Sequence, residues 1–179
     1  MTEFDQFASD LLEESKRFLE RANVTPDADS KQAFLHAALL LSFSSLEAHI
    51  NAIVDDFRAR QDFSVYELGL LLEREVRLEN GEFVLGGLKM SRMEDRIEFL
   101  CRKFTGLPID KQEIWWMQLK GATDLRNKLV HPKEAQNVTG TGVSLAMTAI
   151  ISAIDALYRS IYKRPFPAAN LGLQSRKTF

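Results

Sequence analysis

The chain has 179 residues, 45% hydrophobic and 27% charged, which excludes a disordered tail protein and fits one domain with a real core. A net charge of −2 and a pI near 6.0 exclude a generally basic polyanion binder. The single cysteine, Cys101, excludes a disulfide framework and suits a reducing compartment.

The N-terminus, MTEFDQFASDLLEE, carries acids where a secretory signal carries lysines. No apolar run reads as long enough to span a bilayer, so the expectation is a soluble, cytoplasmic protein with no membrane association. Residues 2–22 place Phe4, Phe7, Leu11, Ser15, Phe18 and Ala22 on one stripe of an amphipathic helix. Thr25-Pro26 then reads as a cap followed by proline at the first position of a second helix, about Pro26 to Arg60. There, Leu39, Phe43, Leu46, Ile50, Ile53 and Phe57 form a buried seam. A second stripe of Phe34, Ala38, Leu41, Ser45, Ala48 and Ala52 runs beside it, which places this long helix in the middle of a bundle.

Ser64-x-x-Glu67 is a capping box that opens a short helix to about Glu75. Residues 76–85, VRLENGEFVL, centre Asn80-Gly81 between two β-prone arms and predict a hairpin ended by Gly86-Gly87. A two-stranded ribbon is marginal alone, so it is expected to pack on the bundle as an insertion. Ser91-x-x-Glu94 reads as another capping box, with Met93, Ile97, Leu100 and Phe104 facing inward beyond it. Asp110-x-x-Glu113 is read as the cap of a helix running to about Val130, with Trp115 in the core and Trp116 partly exposed. A polar loop, 132–142, leads to a last helix, about Gly142 to Tyr162. Its seam is Val143, Met147, Ile150, Ile154, Leu157 and Ile161, beside Ala146, Ala149, Ala153 and Ala156.

The expected fold is therefore all-α: a single helical domain over residues 1–179, with a small β-hairpin insertion and a basic C-terminal tail, 164–179. Residues 1–29 hold eight acids and three bases, whereas 159–179 hold Arg159, Lys163, Arg164, Arg176 and Lys177 with no acid. A solvated end is one reading of that tail, and capture of nucleic acid the other.

The stretch DLRNKLVHP, Asp124 to Pro132, carries the functional argument. Arginine is a permanent phosphate-gripping cation, and histidine exchanges a proton near neutral pH. Helical spacing aligns Trp115, Leu119, Ala122, Arg126 and Leu129, which puts Arg126 on the apolar-side stripe. An unpaired guanidinium there is costly, so it either meets a carboxylate or lines a cleft. Pro132 disfavours helix at His131, which therefore sits where the chain leaves the helix. The alternative at these residues is a basic helix end that complements the dipole, followed by the usual proline. His36 and His49 on the long helix read as structural. Neither a metal-ligand spacing nor a Gly-rich phosphate loop is found, so no metal and no cofactor is expected.

Three pieces in order, SSLEAHINAI on the long helix, LRNKLVHPK, and the alanine-rich closing helix, resemble the HEPN superfamily over about residues 26–163. LRNKLVHPK matches its Arg-x4-6-His motif, including the polar residue after the arginine, Asn127. The ribonuclease L and prokaryotic stand-alone forms are nearest. The resemblance implies a HEPN-like bundle with one long central helix, acting as a metal-independent endoribonuclease at a composite homodimer site. In that reading, Arg126 holds the scissile phosphate and His131 is general acid or base for attack by the RNA 2′-hydroxyl. Asn127 orients the histidine or the phosphate, and Glu47 matches the acidic position that orients Arg126 or serves structurally. A toxin or phage-defence setting is implied, with an antitoxin or companion defence protein as a further partner. The alternative is a non-catalytic HEPN dimerisation or binding module.

Overall fold

The computed structural model describes residues 3–58 and 63–179, and it is mostly helical with one small sheet. Its elements are α1 (Glu3–Val24), α2 (Ala28–Arg58), α3 (Val65–Leu71), β1 (Arg74–Glu79), β2 (Glu82–Leu88), α4 (Met93–Thr105), α5 (Ile114–Val130) and α6 (Gly140–Tyr162). A single 3-10 turn, Ala169–Leu171, follows. The expected end of the second helix at Arg60 lies outside the described residues.

Two apolar seams organise the core. Leu39, Phe43, Leu46, Ile50 and Ile53 of α2 are buried, as are all six seam residues of α6. Both helices are long and apolar enough to cross a membrane, which corrects the expectation that no such run exists. In this fold 67% and 50% of those apolar windows are covered by the rest of the bundle.

The stripe of α1 is rotated from its expected position. Ala8, Leu12, Ser15, Leu19 and Ala22 are buried, while Phe4 and Phe7 are exposed. Close backbone approach explains this: Ser45 Oγ on α2 donates to the Ala8 carbonyl at 2.8 Å, leaving room only for small side chains. The cap between the helices also moves. Asp27 Oδ2 accepts from Ser30 N–H at 2.8 Å, so Asp27 caps α2, whereas Thr25 Oγ1 donates back to the Arg21 carbonyl.

Ser64 and Glu67 make the full reciprocal capping box on α3. The hairpin is longer than the predicted 76–85, and Gly86-Gly87 lies within β2 instead of ending it. Asn80 (φ 51°) and Gly81 (φ 87°) make the expected left-handed turn. Register pairs Val76 with Leu85 and Leu78 with Phe83, so these four side chains share a face. Gly69 of α3 seats that face, since a Cβ there would lie 2.7 Å from Val76 Cγ2 and 3.0 Å from the Arg74 carbonyl.

The two other capping boxes do not form. α4 begins after Arg92 without a side-chain cap, and the Ser91 N–H that the box would pair with Glu94 donates to Glu73 Oε1 at 3.1 Å. Likewise Glu113 precedes α5 without a cap bond, and Asp110 closes a preceding turn. The two tryptophans exchange roles: Trp116 is buried at 1% exposure and Trp115 is half-buried against it.

The C-terminal tail is neither a solvated end nor a free cationic arm. It folds back along the acidic face of α1, where Arg176 pairs with Glu13 at 3.4 Å and Lys177 with Asp10 at 3.1 Å and Glu14 at 3.5 Å. Ser175 and Arg176 backbone N–H groups donate to Glu20 and Glu13, and Phe179 meets Phe18 edge-on. Two bases of the tail thus pair with three acids of α1.

Candidate functional site

Arg126 projects from α5 into a cavity of about 210 Å³ between α2, α5 and the turn joining the hairpin to α4. Its guanidinium lies 5.8 Å from the Phe43 ring centre, and Nη1 donates to Asn127 Oδ1 at 3.0 Å. Glu47 of α2 lines the same cavity. Neither Arg126 nor Glu47 forms an ion pair among the described residues, so a half-buried cation and a half-buried carboxylate share one space without neutralising each other.

His131 is held by its main chain. Its N–H donates to the Asn127 carbonyl at 2.9 Å, and as C-cap of α5 (φ −123°, ψ 61°) it leaves the helix where Pro132 requires. Asn127 therefore touches both motif residues, Arg126 through its amide and His131 through its carbonyl. The His131 side chain is exposed, makes no hydrogen bond or ion pair among the described residues, and is not part of the cavity wall. The loop beyond is pinned to α2, since Gln32 Nε2 donates to the Val138 carbonyl and Gln32 Oε1 accepts from Val138 N–H. Arg126, Asn127 and Glu47 are thus brought together, and His131 stands outside the space they enclose.

Two charged residues not singled out as site candidates, Arg96 and Glu73, also line the cavity. Arg96 of α4 is only 2% exposed. Its Nη2 donates to Asn51 Oδ1 on α2, Nη1 lies 3.6 Å from Glu73 Oε2, and buried Nε has no partner. Burial lowers the Arg96 pKa, and the negative charges of Glu73 and Glu47 oppose that change. Glu73 has φ 54°, a conformation costly for a non-glycine residue, at the point where α3 gives way to β1. Its carboxylate clamps both Ser91 N–H and Arg96, tying the base of the hairpin to the cavity floor. A sequence signal existed for Arg96: it stands one position from Ile97 on the inward stripe of its helix.

Of the other histidines, His36 is half-buried on α2 and its Nε2 has no hydrogen-bond partner among the described residues. His49 is buried against Phe166 and Tyr158, with Nδ1 2.8 Å from the Ser45 carbonyl. Burial lowers its pKa, so it is neutral near pH 7. Among the described residues no group of three His, Cys, Asp or Glu side chains is placed to hold a metal ion. No protein-family model matches the chain, nor does any curated protein or solved structure.

Proposed function

We propose that the protein is a metal-independent endoribonuclease of the HEPN type, acting as a homodimer on RNA in the cytoplasm. One observation carries the reading: Arg126 is a half-buried cation with no carboxylate partner among the described residues, turned into a cavity it shares with Asn127 and Glu47. A permanent charge left open in a partly desolvated space is suited to a phosphate diester and to the extra negative charge of its transition state. His131, exposed at the end of the same helix and free of side-chain partners among the described residues, is available as general acid or base. Because it lies outside the wall of its own Arg126 cavity, a second copy is the natural means of completing a composite site.

The reaction needs no external group. The RNA 2′-oxygen attacks the adjacent phosphorus while a base removes its proton, the P–O5′ bond breaks, and an acid returns a proton to the departing 5′-oxygen. The products are a 2′,3′-cyclic phosphate and a 5′-hydroxyl. Asn127 would keep the guanidinium aimed, and Glu47 would orient Arg126 when substrate displaces water. An antitoxin or companion defence protein is the partner such an enzyme would need to protect its host.

Cleavage in EDTA tests the chemistry directly. RNA should be cut to cyclic-phosphate ends, and a 2′-deoxy substitution at the cleavage point should block the cut. Products ending in 3′-hydroxyl and 5′-phosphate would refute the mechanism. The second reading, a non-catalytic HEPN binding module, is favoured by the position of His131 outside the cavity. It predicts dimers that leave all RNA intact.

A further inference from the structure

The hairpin presents chemistry that the Arg126 cavity does not use. Tyr66 of α3 and Phe83 of β2 are both more than half exposed, and their ring centres lie 5.1 Å apart. Leu78, opposite Phe83 in the ribbon, is exposed beside them. Tyr66 also lines a groove of about 550 Å³ with Arg74, Lys89, Met90 and Arg92, in which Asp95 is the one acid among the described lining residues. Arg74 Nε donates to the Gly86 carbonyl at 2.5 Å, which fixes its guanidinium. Lys89 and Arg92 make no side-chain hydrogen bond or ion pair among the described residues. Met90, Ser91 and Arg92 line both this groove and the Arg126 cavity, so the two spaces adjoin along one stretch of chain.

We propose that this groove is a platform for single-stranded RNA, with bases stacking on Tyr66 and Phe83 and phosphates meeting Arg74, Lys89 and Arg92 on the way to Arg126. Exposed rings beside unpaired cations are the combination that holds unpaired bases and their backbone together, whereas a duplex keeps its base faces covered. On a chain of net charge −2, three cations against one acid form a local exception that favours a polyanion. A two-fold contact through the same face would set that cluster against its own copy, and like charges oppose such pairing. The choice of a ribose strand rests on the ribonuclease reading above; the groove chemistry alone commits to a single strand.

The test is anisotropy of a short fluorescent single-stranded RNA carrying 2′-O-methyl groups, which cannot be cut by this mechanism. Tyr66→Ala and Phe83→Ala should each weaken binding about five- to a hundredfold. Arg92→Gln and Lys89→Gln should each lower the slope of log affinity against log salt by about 0.7. Arg92 is exposed and has no side-chain partner among the described residues, so its variant keeps the test independent of hairpin folding. Arg126→Ala should retain groove binding. Wild-type binding unchanged by the Tyr66, Phe83 and Arg92 substitutions overturns the inference, as does a wild type that binds no single strand. Loss of dimer mass in the Tyr66 or Phe83 variants, with RNA affinity kept, would make this face a protein contact and also overturn it. A wild type that binds through the groove yet cuts nothing leaves the platform standing and defeats the nuclease. One that cuts RNA while the groove variants bind and cut normally defeats the platform alone.

Discussion

Glu47 and Arg126 line one cavity without forming an ion pair, while Arg96 in the same wall is engaged by both Asn51 and Glu73. The two arginines therefore differ in what their removal leaves behind. Arg96→Met strands a largely buried carboxylate and an amide, and the expected loss is about 3–5 kcal/mol. Arg126→Met strands no carboxylate among the described residues and gives up its contact with Phe43 and its hydrogen bond to the half-buried Asn127 amide, about 1 kcal/mol. Urea unfolding of the two variants measures the contrast, and equal losses would contradict it.

Gly69 tests how the hairpin is seated. Gly69→Val places its Cβ against Val76 Cγ2 and the Arg74 carbonyl, of which the latter is main chain and cannot swing away. Overpacking of this kind costs about 1–3 kcal/mol. Thermal unfolding should show that loss, together with weaker protection of hairpin amides. Wild-type stability would mean that α3 and the ribbon do not pack this closely.

The clasp between tail and α1 should loosen in acid. Burial pushes the Glu13 carboxyl up, but the Arg176 N–H and the Lys16 ammonium outweigh it, and its pKa falls below the ordinary 4.5. Lys177 lowers Asp10 in the same way, chiefly by its hydrogen bond. A depressed folded pKa gives stability that is complete above the unfolded value and is lost as pH falls through the folded one. A chain ending at Gly172 should therefore be less stable than the full chain at pH 7, and the gap should narrow from about pH 4.5 downward. A gap that stays constant to pH 3 would show that the carboxylates contribute nothing to the clasp.

Elements with local signatures were legible in the sequence. Asn80-Gly81 marked its turn because both residues need positive φ, and the Ser64–Glu67 box lies wholly within one helical turn. Arg126 could be placed on the inner side of its helix by spacing alone, although the same 100° step assigned Trp115 and Trp116 the wrong way round. Relations between distant segments left no such trace. Arg176 meets Glu13 across 163 residues, and Ser91 serves Glu73 instead of capping its own helix. Whether α1 turns Phe7 or Ala8 inward depends on how near α2 lies, which no window of sequence reports.

The central claim is that Arg126 and His131 perform chemistry and do not merely finish a helix. Light scattering should first give about twice 20.4 kDa, the dimer that a composite site requires. On that material, the decisive measurement is RNA cleavage in EDTA by wild type, Arg126→Ala and His131→Asn, with melting recorded on the same preparations. The account predicts that each substitution lowers the cleavage rate by about 10²–10⁴-fold with little change in melting. A His131→Asn protein that loses about 0.5–1 kcal/mol of stability yet cuts RNA like wild type would make His131 a helix cap and contradict the account.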